Sequence, residues 1–262
     1  MRGPMRHHVL FAVAALLVAA LFVAGCAASA GALGEDAAEG AREDVIVPAL
    51  LVGEQHDAPE HQRLHRDLVD VLAARGELAA VVLEMAGHGR STAGLAAEAS
   101  EESVRQALGW SREAGWSWEL YGPAVMAAVR AGVPVVGGNI GATEMRAARA
   151  DEALDSLVPP AALRSLRESI RSGHCDMLPA AQLAPMARIQ IARDRAMAEA
   201  VTAALRPGKT VVLIAGSGHV DPLMGVPLHL PVRLRARSVQ LPPVDTSTDY
   251  CAQLRERPRS AG

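Results

Sequence analysis

The chain has 262 residues, of which 50% are hydrophobic and 21% charged, with a formal net charge of −3. It contains no long Lys/Arg run, so the electrostatic footprint of a nucleic-acid binder is missing. Aromatic residues make up 3%, which leaves few rings on which a large planar ligand can stack.

In chain order, the first segment is MRGPMRHHVLFAVAALLVAALFVAGC. Arg2 and Arg6 make a positive start, and Val9 to Ala24 is apolar with neither charge nor proline. That run falls short of the roughly 20 residues a membrane span needs. It suits the apolar region of a secretory signal, with small residues following for cleavage. Val23-Ala24-Gly25-Cys26 resembles a bacterial lipobox. The expectation is a signal peptide over 1–25 and a lipid-anchored thiol at Cys26, a good nucleophile for thioether formation. The plain alternative is an uncleaved anchor helix with an incidental cysteine. Ala27 stands where an aspartate would suggest inner-membrane retention, which points to the outer membrane of the cell envelope, facing the periplasm. Residues 1–25 hold two arginines and no acid, so their loss takes the net charge from −3 to −5. Residues 26–44 are small and acidic, without period, and read as a flexible tether. Residues 45–262 suit one domain.

Ala49 to Gly53 is a short apolar run that predicts a buried strand. Pro59 to Arg75 predicts a helix, with Leu64, Leu68, Val71 and Leu72 as its apolar stripe and Gly76 as its stop. Leu78 to Leu83 predicts a second strand, and a short helix is expected around Glu101 to Leu108. Four of the seven aromatics, Trp110, Trp116, Trp118 and Tyr121, come next. A helix from about Pro123 to Ala131 leads to a strand at Val133 to Val136. Helices are expected over 142–157 and 161–171, broken by Pro159-Pro160. A long helix spans about Ala180 to Leu205, with Pro185 marking its start or a kink. Thr210 to Ala215 is the clearest strand. Val232 to Leu241 alternates polar and apolar residues and reads as a half-exposed edge strand. The tail after about residue 243 is expected to be loose. Apolar strands alternating with helices predict an α/β fold: a largely parallel sheet with helices on both faces and one antiparallel edge strand.

The chemistry-bearing residues follow the strands. Glu54 and His56 come after the first, Glu84 after the second, Gly137-Gly138-Asn139 after the third, and His219 after TVVLIA. The carboxyl edge of a parallel sheet is where ligand crevices form. Imidazole and carboxylate together can bind Zn, Mn or a similar metal, or do acid–base work on a carbonyl. Histidine and tyrosine can ligate haem iron. Taken singly, each residue is better explained by an ion pair or a loop cap; four at one edge are not, because unpaired buried carboxylates are costly. His61 and His65 are four apart and share a helix face, but their offset from the Leu64/Leu68 stripe favours a solvated surface. Arg193-Asp194 reads as an ion pair, although an arginine there can also grip a carboxylate. Cys175 and Cys251 can pair in an oxidising compartment or remain free thiols.

The blocks LLVGEQHD, LEM, YGP, VPVVGGN, GHCDMLP, QIARDRAM and AGSGHVDPLMGVP run in this order from Leu50 to Pro231. Together they resemble the ChaN-type haem-binding uptake lipoprotein family, placed in a superfamily with Tiki-type metalloproteases and erythromycin-esterase-like enzymes. The resemblance implies an α/β fold and haem or iron handling at the envelope. It implies a tyrosine as haem ligand, which falls on Tyr121 within the WSWELYGP block, while Tyr250 lies outside the matching region. By their own chemistry His56, His219, His174 and Arg193 are further candidate haem contacts, with His174 either reaching the site or merely holding its loop and Arg193 suited to a propionate. The superfamily implies a second reading, a metal-dependent hydrolase using Glu54, His56, Glu84 and His219. A third is a non-catalytic, membrane-tethered interaction module. Haem or another small ligand, the bilayer through Cys26, and a second copy in a homodimer are the expected partners. The stretch EMAGHGRSTAGL departs from the family pattern, being small and polar where a larger apolar residue is expected.

Overall fold

The computed structural model describes residues 46–111 and 115–256. The signal segment 1–25, Cys26 and the tether 26–44 lie outside the described residues.

Five strands form one sheet: β1 (Ala49–Glu54), β2 (Leu78–Gly87), β3 (Val135–Asn139), β4 (Thr210–Gly216) and β5 (Ala236–Gln240), in the order β3-β2-β4-β1-β5. Every pairing among the described residues is parallel. The three central strands are buried on both faces, as unbroken runs such as ALLVGE and TVVLIAG require. Seven helices accompany them: α1 (Pro59–Ala74), α2 (Glu101–Leu108), α3 (Trp118–Arg130), α4 (Ala142–Ala150), α5 (Pro160–Gly173), α6 (Ala180–Ala204) and α7 (Tyr250–Glu256). On one face of the sheet, Val69 of α1 and Val125 and Val129 of α3 pack against Val81, Leu83 and Ile214. On the other, Met197 and Val201 of α6 cover Leu51, Val82 and Leu213. A satellite core of Leu166, Ile170 and Ile191 fastens α5 to α6.

Several expectations are corrected. The edge strand is β5, as the alternation implies, but it runs parallel to β1, with Ala49 opposite Ala236. The 217–235 connection carries the chain back to the starting end of the sheet, and a crossover of that length makes the next strand parallel. Of the expected α1 stripe, Leu68 and Leu72 pack against the core, but Leu64 and Val71 are about half exposed, and the buried positions are His61, Gln62, His65 and Val69. His61 and His65 are therefore buried, not solvated. Pro185 lies inside α6, which already begins at Ala180. The 142–157 helix ends at Ala150 and continues as a 3₁₀ turn over Glu152–Leu157. Glu84 and Gly137 to Asn139 belong to their strands instead of following them. The segment after Pro242 is held in place: Val244 is bonded to Gln55, and Cys251 forms a disulfide with Cys175.

Candidate functional site

β1, β2 and β4 end side by side, with Glu54 opposite Gly216 in the β1–β4 register. Glu54 and Glu84 are each 2% exposed, so each carboxylate must be satisfied from within. Glu54 Oε1 accepts from His56 Nδ1 at 2.7 Å and from the Tyr121 hydroxyl. Its Oε2 accepts from Gln62 Nε2 at 2.9 Å. His65 Nδ1 lies 3.2 Å from the same Oε2, yet misaligned, so neither of its ring nitrogens makes a hydrogen bond. Burial pulls His65 down to about 4, which leaves it neutral at physiological pH.

Glu84 anchors the second half. Its Oε2 accepts from the Gly216 N–H at 2.7 Å. Its Oε1 accepts from Arg193 Nη2 and lies 3.5 Å from His219 Nε2. Arg193 is aimed by Asn139, whose Oδ1 accepts from its Nε at 3.0 Å while its Nδ2 donates to the Glu84 carbonyl at 2.9 Å. His219 Nδ1 donates to Asp194 Oδ1 at 2.6 Å. Arg193 and Asp194 thus serve Glu84 and His219 separately: of the two expectations for Arg193, the grip on a carboxylate is found and the ion pair with Asp194 is not.

Electrostatics follow from these contacts. Burial alone would raise the Glu84 carboxyl, but His219, Arg193 and His56 outweigh it and hold it well below the usual carboxylate range. Burial would strip His219 of its proton; Asp194 and Glu84 outweigh it and push the imidazole up to about 9. Burial also pushes Asp194 up. The shared proton stays on His219, because Glu84 adds a second carboxylate on its far side. His56 is raised as well: burial opposes the charge, while the hydrogen bond to Glu54 and the field of Glu84 favour it. Burial and Glu54 together raise the Tyr121 phenol far above its normal range, so Tyr121 is a neutral donor.

Most of these groups line one cavity of about 860 Å³, with Gln62, His65 and Asn139 outside its lining. Glu54, His56, Glu84, Tyr121, His174, Arg193 and His219 border it together, so the residues singled out in the sequence meet at one site. The same lining includes apolar side chains: Trp116, Leu120, Leu166, Ile170 and Met224. His56 keeps 36% of its side chain accessible and meets the Trp116 ring edge-on at 4.8 Å. Sequence reasoning missed Asp194 as the partner of His219, Gln62 and His65 behind Glu54, and Tyr250 at the rim. The available signal for Gln62 and His65 was a polar set on α1 at the spacing of one helix face.

No three His, Cys, Asp or Glu side chains among the described residues are disposed to hold a metal ion. The expected Zn or Mn set, Glu54, His56, Glu84 and His219, has its oxygens and inner ring nitrogens engaged by Tyr121, Gln62, Arg193, Gly216 and Asp194. That donor set satisfies itself without a cation.

A family model described as "Haem-binding uptake, Tiki superfamily, ChaN" matches residues 39–230. Among solved structures, ChaN of Campylobacter jejuni with cofacial haem is 21% identical, with a TM-score of 0.58, over 74% of this chain and 81% of that one. The type III effector HopBA1 is 17% identical, with a TM-score of 0.39, over 66% and 67% of the two chains. RRSP, a MARTX toxin effector domain from Vibrio vulnificus, is 15% identical, with a TM-score of 0.41, over 75% and 33%. No curated protein sequence matches.

Proposed function

The chain belongs to the haem-binding uptake family of ChaN proteins in the Tiki superfamily, and from that premise we propose that it binds haem in the 860 Å³ cavity as an exported lipoprotein anchored through Cys26. The observation that carries the reading is the mixed polar and apolar lining. The volume lies within the range of small-molecule sites, and such sites join an apolar wall to a few fixed polar groups. Trp116, Leu120, Leu166 and Ile170 offer apolar surface to a porphyrin. The His56 imidazole, 36% accessible, is of a ligand type that holds haem iron, and so is a tyrosine phenol, although Tyr121 would have to give up its proton and its bond to Glu54 to serve. Arg193 and His174 line the same cavity, and an arginine there would suit acidic groups on a ligand. Haem would supply a redox-active iron. The chain's own residues would bind it, orient it and exclude water from it.

Titrating the mature full-length chain with haemin tests this. A shifted Soret band saturating at a fixed ratio is expected, and His56→Ala and Tyr121→Phe each weaken or alter it. An unchanged spectrum at micromolar protein removes the proposal. Export and anchoring are tested separately, by the mass of the mature N-terminus and by loss of membrane association in Cys26→Ser. Residence at the periplasmic face of the outer membrane, read from Ala27, is settled by fractionating the envelope.

A second reading, hydrolysis, is favoured by the Glu54–His56 pair, in which a buried carboxylate orients an accessible imidazole. That arrangement suits a general base. Turnover of an ester or amide panel that disappears in Glu54→Gln and His56→Ala would support it; no turnover by the native chain would remove it.

A further inference from the structure

The chain does not stop at β5. It turns back over the carboxyl end of the sheet, where Gln55 clamps it with two bonds. Gln55 Oε1 accepts from the Val244 N–H at 3.1 Å, and Gln55 Nε2 donates to the Val244 carbonyl at 3.1 Å. The amide thus imitates one rung of a β-ladder. His61 Nε2 adds a bond to the Pro242 carbonyl at 3.1 Å, while its Nδ1 accepts from the Gln55 N–H. α7 follows, and its first residue, Tyr250, lines the cavity while staying 47% exposed. The Tyr250 hydroxyl donates to Asp57. One residue on, Cys251 is bonded to Cys175, in the turn that follows α5 and beside His174, another cavity residue. This strap, Pro242 to Glu256, lies wholly beyond the residues matched by the family model.

The anchor point is itself constrained. Cys175 and Asp176 are two successive non-glycine residues with positive φ, 56° and 58°. Such backbone persists only where its surroundings hold it. Here the disulfide and an ion pair from Arg171 to Asp176 do so.

We propose that Tyr250 is a ligand-contacting residue of the cavity and that the Cys175–Cys251 disulfide keeps it at the mouth, so that reduction of that bond loosens the outer wall and weakens ligand binding. The proposal rests on the haem-pocket reading for its ligand. A dithiol performs the reduction: two electrons and two protons pass to the cystine sulfurs, and the reagent leaves as its own disulfide. What then holds the strap is a handful of part-exposed hydrogen bonds, each of modest net strength.

The test uses the mature full-length chain. Haemin is titrated into the oxidised protein, into protein treated with dithiothreitol, and into Cys251→Ala without reductant, which keeps any effect of dithiol on the iron separate. Reduction and Cys251→Ala should each weaken binding about tenfold. Tyr250→Ala should weaken it similarly with the disulfide intact. Cys251→Ala should be indifferent to dithiol. A second measurement needs no haem: acrylamide quenching of tryptophan fluorescence. Trp110 and Trp118 are buried, while Trp116 lines the cavity, so quenching should rise on reduction. Haem affinity and quenching that are the same in all forms overturn the proposal. Absent haem binding in oxidised protein, with quenching that still rises on reduction, sinks the haem reading and leaves the strap standing.

Discussion

Arg193 is the residue on which the site's charge balance turns. Among the described residues it is the one permanently charged cation bonded to Glu84, a carboxylate that burial would otherwise neutralise. Arg193→Ala should destabilise the protein by about 3–5 kcal/mol, as loss of one partner from a buried pair does, measured by urea unfolding. Arg193→Lys should recover only part, because one ammonium cannot serve Asn139, Gln190 and Glu84 in the fork that the guanidinium uses. The histidines set opposite pH limits. His219 stands at about 9 when folded, above its unfolded value of about 6.5. Its contribution is therefore complete below about 6.5 and disappears as pH rises through 9. His65 is lowered to about 4, so its contribution is present above about 6.5 and disappears as pH falls through 4. Stability should peak near neutrality. Each flank should be worth on the order of 3 kcal/mol. His219→Gln should flatten the alkaline flank alone, and a urea series across pH reads this directly.

At the scale of elements, the site depends on strand ends that carry no bulk. Gly216 closes β4, and a Cβ added there would lie 2.8 Å from His56 Nε2 and 3.5 Å from Glu84 Oε2. Gly216→Ala should thus displace the His56 ring, changing haem or substrate binding several-fold while the melting temperature moves little, because side chains and not backbone stand in the way. Gly53→Ala is the contrast. Its Cβ would meet Val220 and the Ser217 backbone, and a loss of about 1–3 kcal/mol of stability is expected. The strands that deliver these residues were legible in sequence because they are continuous apolar runs bounded by polar clusters, and so was the meeting of Glu54, His56, Glu84 and His219 at one edge. α1 was legible only in part. Leu68 and Leu72 pack on the core with Val69, but Leu64 and Val71 face outward, since the rest of the inward face is occupied by polar groups that hold Glu54 and the strap. Hydrophobic periodicity reports the core-facing side of a helix only when that side packs on apolar core. β5 was misdirected for a different reason: alternation identifies an edge strand and says nothing of its direction, which the preceding crossover decides. The partnership of Asp194 with His219 spans 25 residues, and no local pattern announces it.

At the scale of the whole molecule, one covalent link joins the last described helix to the middle of the chain. The two cysteines are 76 residues apart, and the closed loop includes α6, β4 and β5. Cross-linking a loop of that length narrows the unfolded ensemble and typically stabilises by about 2–4 kcal/mol. The native contacts at the strap are light, so most of the gain should come from the unfolded side. Oxidised protein should therefore melt roughly 5–15 °C above both the dithiol-treated chain and Cys251→Ala, given about 2–4 °C per kcal/mol for a domain of this size. Haem, if it binds only the folded state, should raise all three melting points by mass action. If the strap governs the mouth, that rise should be largest in the oxidised form. Calorimetry with and without haemin separates the two contributions. A disulfide that only restrains the unfolded chain shifts the three melting points and leaves the haem increments equal. A disulfide that also shapes the cavity makes the oxidised increment exceed the others.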